Sequence, residues 1–396
     1  MTAPSRTRAF AIVAFAFVVA MAGTTLPTPL YPIYEQRFGF SGVTVTVIFA
    51  TYAVGVIAAL VLFGNLSDRI GRKRVLLPGL LAGALSAVCF LVAEGLPLLL
   101  VGRFLSGLSA GIFTGTATAT LVDLAPGGDR DRASLVATIA NMGGLGLGPP
   151  LAGLFAEALP DPIRLVFLTH LVLLGVAALG LRAIAEPTGA SGPFAIRPRG
   201  FEVPPEVRTA FIRASVAGFA GFAVAGLFTA VAPAFLGQVL GVTNHLVIGL
   251  VVMCLFAGSI AGQVLRRRVD DRAALAGGCA TLIAGMAILV TSLQVESVAL
   301  MVLAAVVGGA GQGLSFAAAL AMVAGGAPAD RRAAVTSSLF VVTYVAISLP
   351  VVGVGLLADA TDLVEAGTVF AGIVALLAAG AALSLVRSPR AHVSRT

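Results

Sequence analysis

Twelve apolar runs, each of roughly 18–27 residues and joined by short polar links, leave this chain little choice of fold. About 20 helical residues cross the hydrocarbon core of a bilayer. Lipid offers backbone N–H and C=O groups no partner, so each run must satisfy its own hydrogen bonds as a helix. A barrel would instead show segments of about 10 residues with alternating polarity. The runs fall at about 9–31, 43–65, 75–93, 97–122, 132–156 and 163–183, then at about 210–233, 243–265, 273–292, 297–323, 333–357 and 365–386. Hydrophobic residues make up 58% of the chain and charged residues only 11%, against about 25% charged in a soluble domain. The first run is too long, and followed by too many others, to read as a cleaved signal peptide. Pro27, Pro29 and Pro32 near its end predict a kink or an early stop.

The charges sort by side. Cations occur at Arg6 and Arg8, from Arg69 to Arg74, at Arg130 and Arg132, and from Arg182 to Arg213. They recur from Arg266 to Arg272, at Arg331 and Arg332, and from Arg387 to Arg395. These are alternate links; the other links hold only Arg37 and Arg164. Lys and Arg accumulate on the cytoplasmic side of membrane proteins, so the pattern predicts twelve spans with both termini cytoplasmic. The net charge of +7 follows from this placement and predicts no nucleic-acid partner. Cys89, Cys254 and Cys279 all lie inside apolar runs without a CxxC or a paired His, so neither a disulfide nor a metal site is expected. Lys73 is the only Lys, and with the Ala and Gly load this suggests a bacterial, inner-membrane protein.

Residues 186–208 break the pattern with five prolines, several charges and no apolar run. They read as a cytoplasmic linker between an N-terminal half at 1–185 and a C-terminal half at 209–396. The halves look like a repeat: Arg132 matches Arg332, Pro150 matches Pro350 and Gly153 matches Gly353, at an offset of 200. The expected fold is an all-α membrane protein of twelve helices in two pseudo-symmetric six-helix bundles. Such parallel-repeat carriers place their substrate near mid-membrane, between the halves.

The densest charge cluster is Gly64-Asn-Leu-Ser-Asp68-Arg69-Ile-Gly71-Arg72-Lys73-Arg74, between the second and third runs. So short a link makes those runs antiparallel neighbours. Gly64 and Gly71 permit close approach and a tight turn. A mere orientation signal needs neither the glycines nor Asp68. The string resembles the G-x-L-x-D-R-x-G-R-K loop between helices 2 and 3 of major facilitator superfamily transporters. It matches at Gly64, Leu66, Asp68, Arg69, Gly71, Arg72 and Lys73. The resemblance implies that this cluster, with Asp123 at the inner end of helix 4 facing Arg72, latches the cytoplasmic helix ends in the outward-open state.

Two further strings carry the resemblance. Arg103 is the only cation well inside an apolar run, away from its ends, and burying it is costly, so it should face the bundle interior or a watery cavity. Its surroundings, Leu99 to Ala110, resemble the family's helix-4 pattern with Ser106 where Gln is usual, implying proton coupling or anion contact. On helix 5, Gly144-Leu-Gly146-Leu-Gly148-Pro149-Pro150-Leu-Ala-Gly153 resembles the G-x-x-x-G-P-x-x-x-G signature of antiporters. That resemblance implies packing against the C-terminal half and efflux rather than uptake.

No Asp or Glu lies deep in any run, and Thr24 and Thr25 stand where drug–proton antiporters often carry a carboxylate. The coupling candidates are therefore Arg103, His170 in helix 6 and Glu35 at an outer end; His245 is expected to be solvated. Helices 1, 4, 7 and 10 line the cavity of the resembled fold. Candidate cavity residues on them are Thr25, Tyr31, Ser109, Phe113, Thr114, Phe219, Phe222, Gln312 and Phe316, joined by Asn141 and Tyr344 from helices 5 and 11. Aromatics outnumber charges there, which suits an amphipathic small molecule.

The function that follows is secondary active transport by alternating access, in the direction of proton-coupled efflux of small amphipathic compounds. The alternative is a proton-coupled uptake symporter for a sugar or organic acid. An enzyme is disfavoured by the lack of HExxH, paired intramembrane carboxylates or a phosphate-binding loop ending in Lys and Ser or Thr. The expected partners are a small-molecule substrate, protons and the bilayer; the protein is expected to work as a monomer without a cofactor or metal.

Overall fold

The computed structural model describes residues 5–64, 66–188, 192, 201–328 and 330–386. Much of the expected linker and the terminal cations from Arg387 onward lie outside these residues. Among the described residues are twelve helices long and apolar enough to cross a membrane. We label them α1 (Arg6–Thr25), α2 (Gly42–Phe63), α3 (Lys73–Leu91), α4 (Leu96–Asp123), α5 (Arg130–Ala158) and α6 (Pro162–Ala183). The second six are α7 (Arg208–Ala230), α8 (His245–Arg266), α9 (Asp271–Gln294), α10 (Val298–Gly326), α11 (Arg332–Ala360) and α12 (Leu363–Val386). From α2 on, every boundary lies within a turn of its apolar run. Polar caps set several starts: Ser41, Asp129, Asn244, Asp270 and Ser297 each accept a backbone N–H from the first turn they precede.

The first run behaves differently. α1 stops at Thr25 rather than near residue 31, because Pro27 and Pro29 bring no N–H to continue the ladder. A tight turn at Thr28–Leu30 follows, and helix resumes at Tyr31–Phe38 until Gly39, whose φ of +68° ends it.

Buried apolar residues divide into two main cores. The larger draws on α7–α12 and takes only Phe49 from the first six helices. The other joins α1–α6 and takes only Tyr344 from the second six. One crossing recurs in both. In the first bundle, Cβ atoms on Gly55 and Gly107 would fall on the backbone carbonyls of Phe104 and Tyr52, so α2 and α4 meet backbone to backbone. About 200 residues later, Gly258 and Gly309 stand in the same relation to Val306 and Leu255, and α8 meets α10 in the same way. This is the physical content of the repeat. The residue-by-residue offset is looser: a Cβ on Gly353 meets nothing within 4 Å, whereas one on Gly355 would lie 2.7 Å from Thr46 Oγ1 of α2.

The bundles face each other through α5 on α8 and α2 on α11. One end of the molecule carries the Gly64–Arg74 loop, and we call it the basic end. At the far end the bundles are in close contact: Gly249 of α8 leaves only 2.5 Å between a would-be Cβ and the Pro149 carbonyl of α5. Leu26 and Leu30, from the broken part of the first span, are fully buried there.

Candidate functional site: a central cavity and a basic latch

A cavity of about 440 Å³ lies between the bundles, within the size range of small-molecule sites. Thr25 of α1, Thr114 of α4 and Asn141 of α5 line it from one side; Phe222, Gln312, Phe316 and Tyr344 line it from the other. All seven were anticipated. The wall formed by the second bundle is aromatic. Phe222 and Phe316 meet edge to face with centroids 4.8 Å apart, Phe340 stands 5.8 Å from Phe316, and Tyr344 stands 6.1 Å from Phe222. Ser259 links two amides, donating to Gln312 Oε1 (2.6 Å) and accepting from Gln263 Nε2 (3.2 Å).

Arg103 also lines the cavity, at 1% exposure. Its guanidinium lies over the rings of Tyr52 and Phe49, 4.9 and 5.3 Å from their centroids. Nη1 donates to the Thr24 carbonyl at 2.6 Å, and Nε is buried without a partner. Arg103 therefore points into the interior and does not reach back to the headgroups.

Four expected cavity residues lie elsewhere. Phe113 is fully buried inside its own bundle, 6.2 Å from Phe17, because its side of α4 faces α1 and α3. Tyr31 follows the break in the first span and lines a separate crevice toward the far end, together with Glu35 and His245. Ser109 borders a small void beside His170, and Phe219 packs against the Phe222–Phe316 cluster from outside. Of the coupling candidates, only Arg103 reaches the cavity. His170 is 4% exposed and pressed on Gly23, where a Cβ would overlap its ring. His245 is not simply solvated: its backbone N–H donates to Glu157 Oε1 (2.6 Å), and its Nδ1 lies 2.9 Å from the same oxygen.

Phe49, Tyr52 and Phe340 line the cavity without having been anticipated. The i, i+3 spacing of Phe49 and Tyr52 puts both on one face of α2, but nothing in that spacing says whether the face meets lipid or cavity.

The α5 motif serves two neighbours. Gly144 and Gly148 admit α1, where their Cβ atoms would strike the Val18 and Ala22 carbonyls, and Thr25 Oγ1 donates to the Leu145 carbonyl (2.8 Å). Gly153 and Pro149 instead meet α8. Gly146 also meets α8, its would-be Cβ 3.2 Å from Phe256, so the motif packs on the C-terminal half along one face and on α1 along the other.

At the basic end, Arg72 sits between two carboxylates. It pairs with Asp68, donates from Nε to Asp123 Oδ2 (3.0 Å) and from Nη1 to Ser67 Oγ (2.8 Å). Asp68 and Arg69 lie on the short helix Leu66–Ile70. Gly71 has φ +108°, which demands glycine, and a Cβ there would lie 2.8 Å from the Glu186 carboxylate. Gly64 is right-handed (φ −55°), so the backbone itself does not require glycine at that position. It lines a crevice of about 460 Å³ with Asp68, Arg72 and Arg332 of α11. That crevice shares Gly115, Ala119, Thr336 and Phe340 with the central cavity, which thus leads toward the basic end.

Glu186, just past α6, was not anticipated. It accepts the backbone N–H groups of Arg72 (2.6 Å) and Lys73 (3.2 Å) and so caps α3. Lys73 Nζ in turn donates to the carbonyls of Arg182 (2.7 Å) and Ile184 (2.9 Å), where α6 ends. Each charge sits at the helix end whose dipole favours it. Glu186→Gln is expected to lower stability by roughly 1 kcal/mol, the usual worth of a cap, in a thermal melt of the bilayer-embedded protein. Ligand affinity at the cavity should not change.

The comparisons agree with this geometry. The family model described as Major Facilitator Superfamily matches residues 13–351. The quinolone resistance protein NorA of Staphylococcus aureus is 26% identical over 144 residues, 36% of this chain and 37% of NorA. Multidrug resistance protein 1 of Bacillus subtilis is 27% identical over 169 residues, 43% of each chain. The chain thus matches less than half the length of these curated relatives. Among solved structures, a bacterial homologue of the human lysosomal transporter Spinster, inward-facing and unoccupied, aligns at TM-score 0.78 and 16% identity, covering 99% of this chain and 100% of that one. The human organic anion transporter MFSD10 aligns at TM-score 0.68 and 15% identity, covering 96% and 100%. Twelve spans in two bundles, a cavity between them and a family match over most of its length lead to one conclusion: the chain belongs to the Major Facilitator Superfamily.

Proposed function

We propose that the protein exports small amphipathic molecules from a bacterial cytoplasm in exchange for protons, working as a monomer by alternating access across the inner membrane. In this reading the basic end and both termini are cytoplasmic, and the linker at 186–208 joins halves that rock about the cavity. The observation that carries it is the cavity itself: apolar walls with a few polar anchors, contact at the far end, and a crevice leading to the basic end. That geometry is an inward-facing state ready to load from the cytoplasm. The curated relatives named for quinolone and multidrug resistance point to the same substrate class and direction.

Asp68 supports the reading. Its side chain is 59% exposed and shares the crevice with Arg332 at the start of α11. Closing the crevice brings the carboxylate to that helix N-terminus, where the dipole favours it. The Arg72 pairs to Asp68 and Asp123 hold the carboxylate in place for that closure.

The test is proton exchange in inverted vesicles with an acid interior. Adding a quinolone should collapse the pH gradient, and Asp68→Asn should cut the rate about tenfold at wild-type expression. A gradient untouched by quinolones and other amphipathic compounds would remove the antiport reading. A fully active Asp68→Asn would remove the latch.

A further inference from the structure

The central cavity carries an unbalanced charge. Among the described residues, Arg103 is the only charged one lining it, and no Asp or Glu borders it. The two ring faces on Tyr52 and Phe49 hold the guanidinium plane. A guanidinium offers five N–H donors in a rigid fork, yet its only hydrogen bond to described residues is the one from Nη1 to Thr24. Nε has no partner and no contact with water. A cation held away from water without a counter-charge is strongly disfavoured, and aromatic faces return only part of that. The remaining polar groups of the cavity are neutral, and one of them, Asn141 Oδ1, is also buried without a partner.

We propose that the cavity selects small apolar monoanions, carboxylates above all, with the carboxylate on Arg103 and the apolar body against Phe222, Phe316 and Phe340. This deepens the export reading above and rests on it. The anion supplies the counter-charge that the protein itself lacks. A small rotation of the Arg103 side chain brings Nε into a two-point contact, the strongest arrangement for this pair. A cationic amphiphile meets a like charge and finds no carboxylate to offset it.

The test uses the full chain in lipid nanodiscs, titrated by calorimetry with three probes that share one ring system: 2-naphthylacetate, the neutral 2-naphthylacetamide, and the cation 2-(2-naphthyl)ethylammonium. Empty nanodiscs provide the blank. The carboxylate should bind at least about tenfold more tightly than the amide, as a charge-assisted pair implies, with the ammonium weakest. Arg103→Gln should erase the gap, and Arg103→Lys should keep part of it. Equal affinity for carboxylate and amide, tighter binding of the ammonium, no binding of the carboxylate, or a gap that survives Arg103→Gln overturns the proposal. The wild-type ranking needs no variant, so a poorly folding mutant does not decide the matter. Flux in proteoliposomes separates the two readings. An Arg103-dependent ranking without naphthylacetate flux sinks export and leaves the anion site standing. Ammonium flux untouched by Arg103→Gln does the reverse.

Discussion

Gly309→Val is expected to leave little folded protein. A Cβ at this position falls on the Leu255 carbonyl, and the neighbouring contacts at Gly313, Gly258 and Gly262 are equally tight against backbone. Backbone cannot step aside as a flexible side chain can, so valine must push α10 off α8. The expected loss is about 3 kcal/mol, the upper end of the usual cost of overpacking. It falls on a contact that in lipid depends on close approach and not on a hydrophobic drive. The measurement is the melting temperature and the monodisperse fraction after mild heating. Gly372→Val in α12, where a Cβ meets nothing within 4 Å, is the control and should melt like the wild type.

Gly153→Val makes the same chemical change with a different outcome. Its Cβ strikes the His245 carbonyl of α8, across the two bundles. Each bundle keeps its own core, so the protein should fold and melt close to wild type. The far end, however, cannot come together. Transport should fall about tenfold or more, and spin labels at Ser41 and Thr361, both exposed at that end, should move to longer distances. A variant that melts as early as Gly309→Val, or whose label distances do not change, would show that this contact does not gate the far end.

These two glycines also mark what a sequence can and cannot reveal. Span number and span limits were legible from α2 onward because lipid imposes them: an apolar run near 20 residues has one way to satisfy its backbone. The Arg72–Asp123 pair was legible because α4 and the loop after α2 must end on the same face. Helical phase was not. Phe113 and Phe316 look alike in sequence, yet one is sealed within its bundle and the other borders the cavity. Only the packing of whole helices decides which side turns inward. Glu186 was missed for a related reason, since its partners Arg72 and Lys73 lie more than a hundred residues away. The same holds for Gly355: it makes the contact to α2, although the offset of 200 singles out Gly353.

The interruption of the first span acquires a meaning beside Arg103. Leu26, Leu30 and Tyr34, buried together in the far-end core of the first bundle, hang from the peptide units that follow Thr24. The guanidinium grips that strand at the Thr24 carbonyl. The far-end core and the cation of the cavity are therefore tied to a single oxygen. If the proposed anion drew Arg103 toward itself, that hold on the broken span would loosen, and filling the cavity would be felt at the far end.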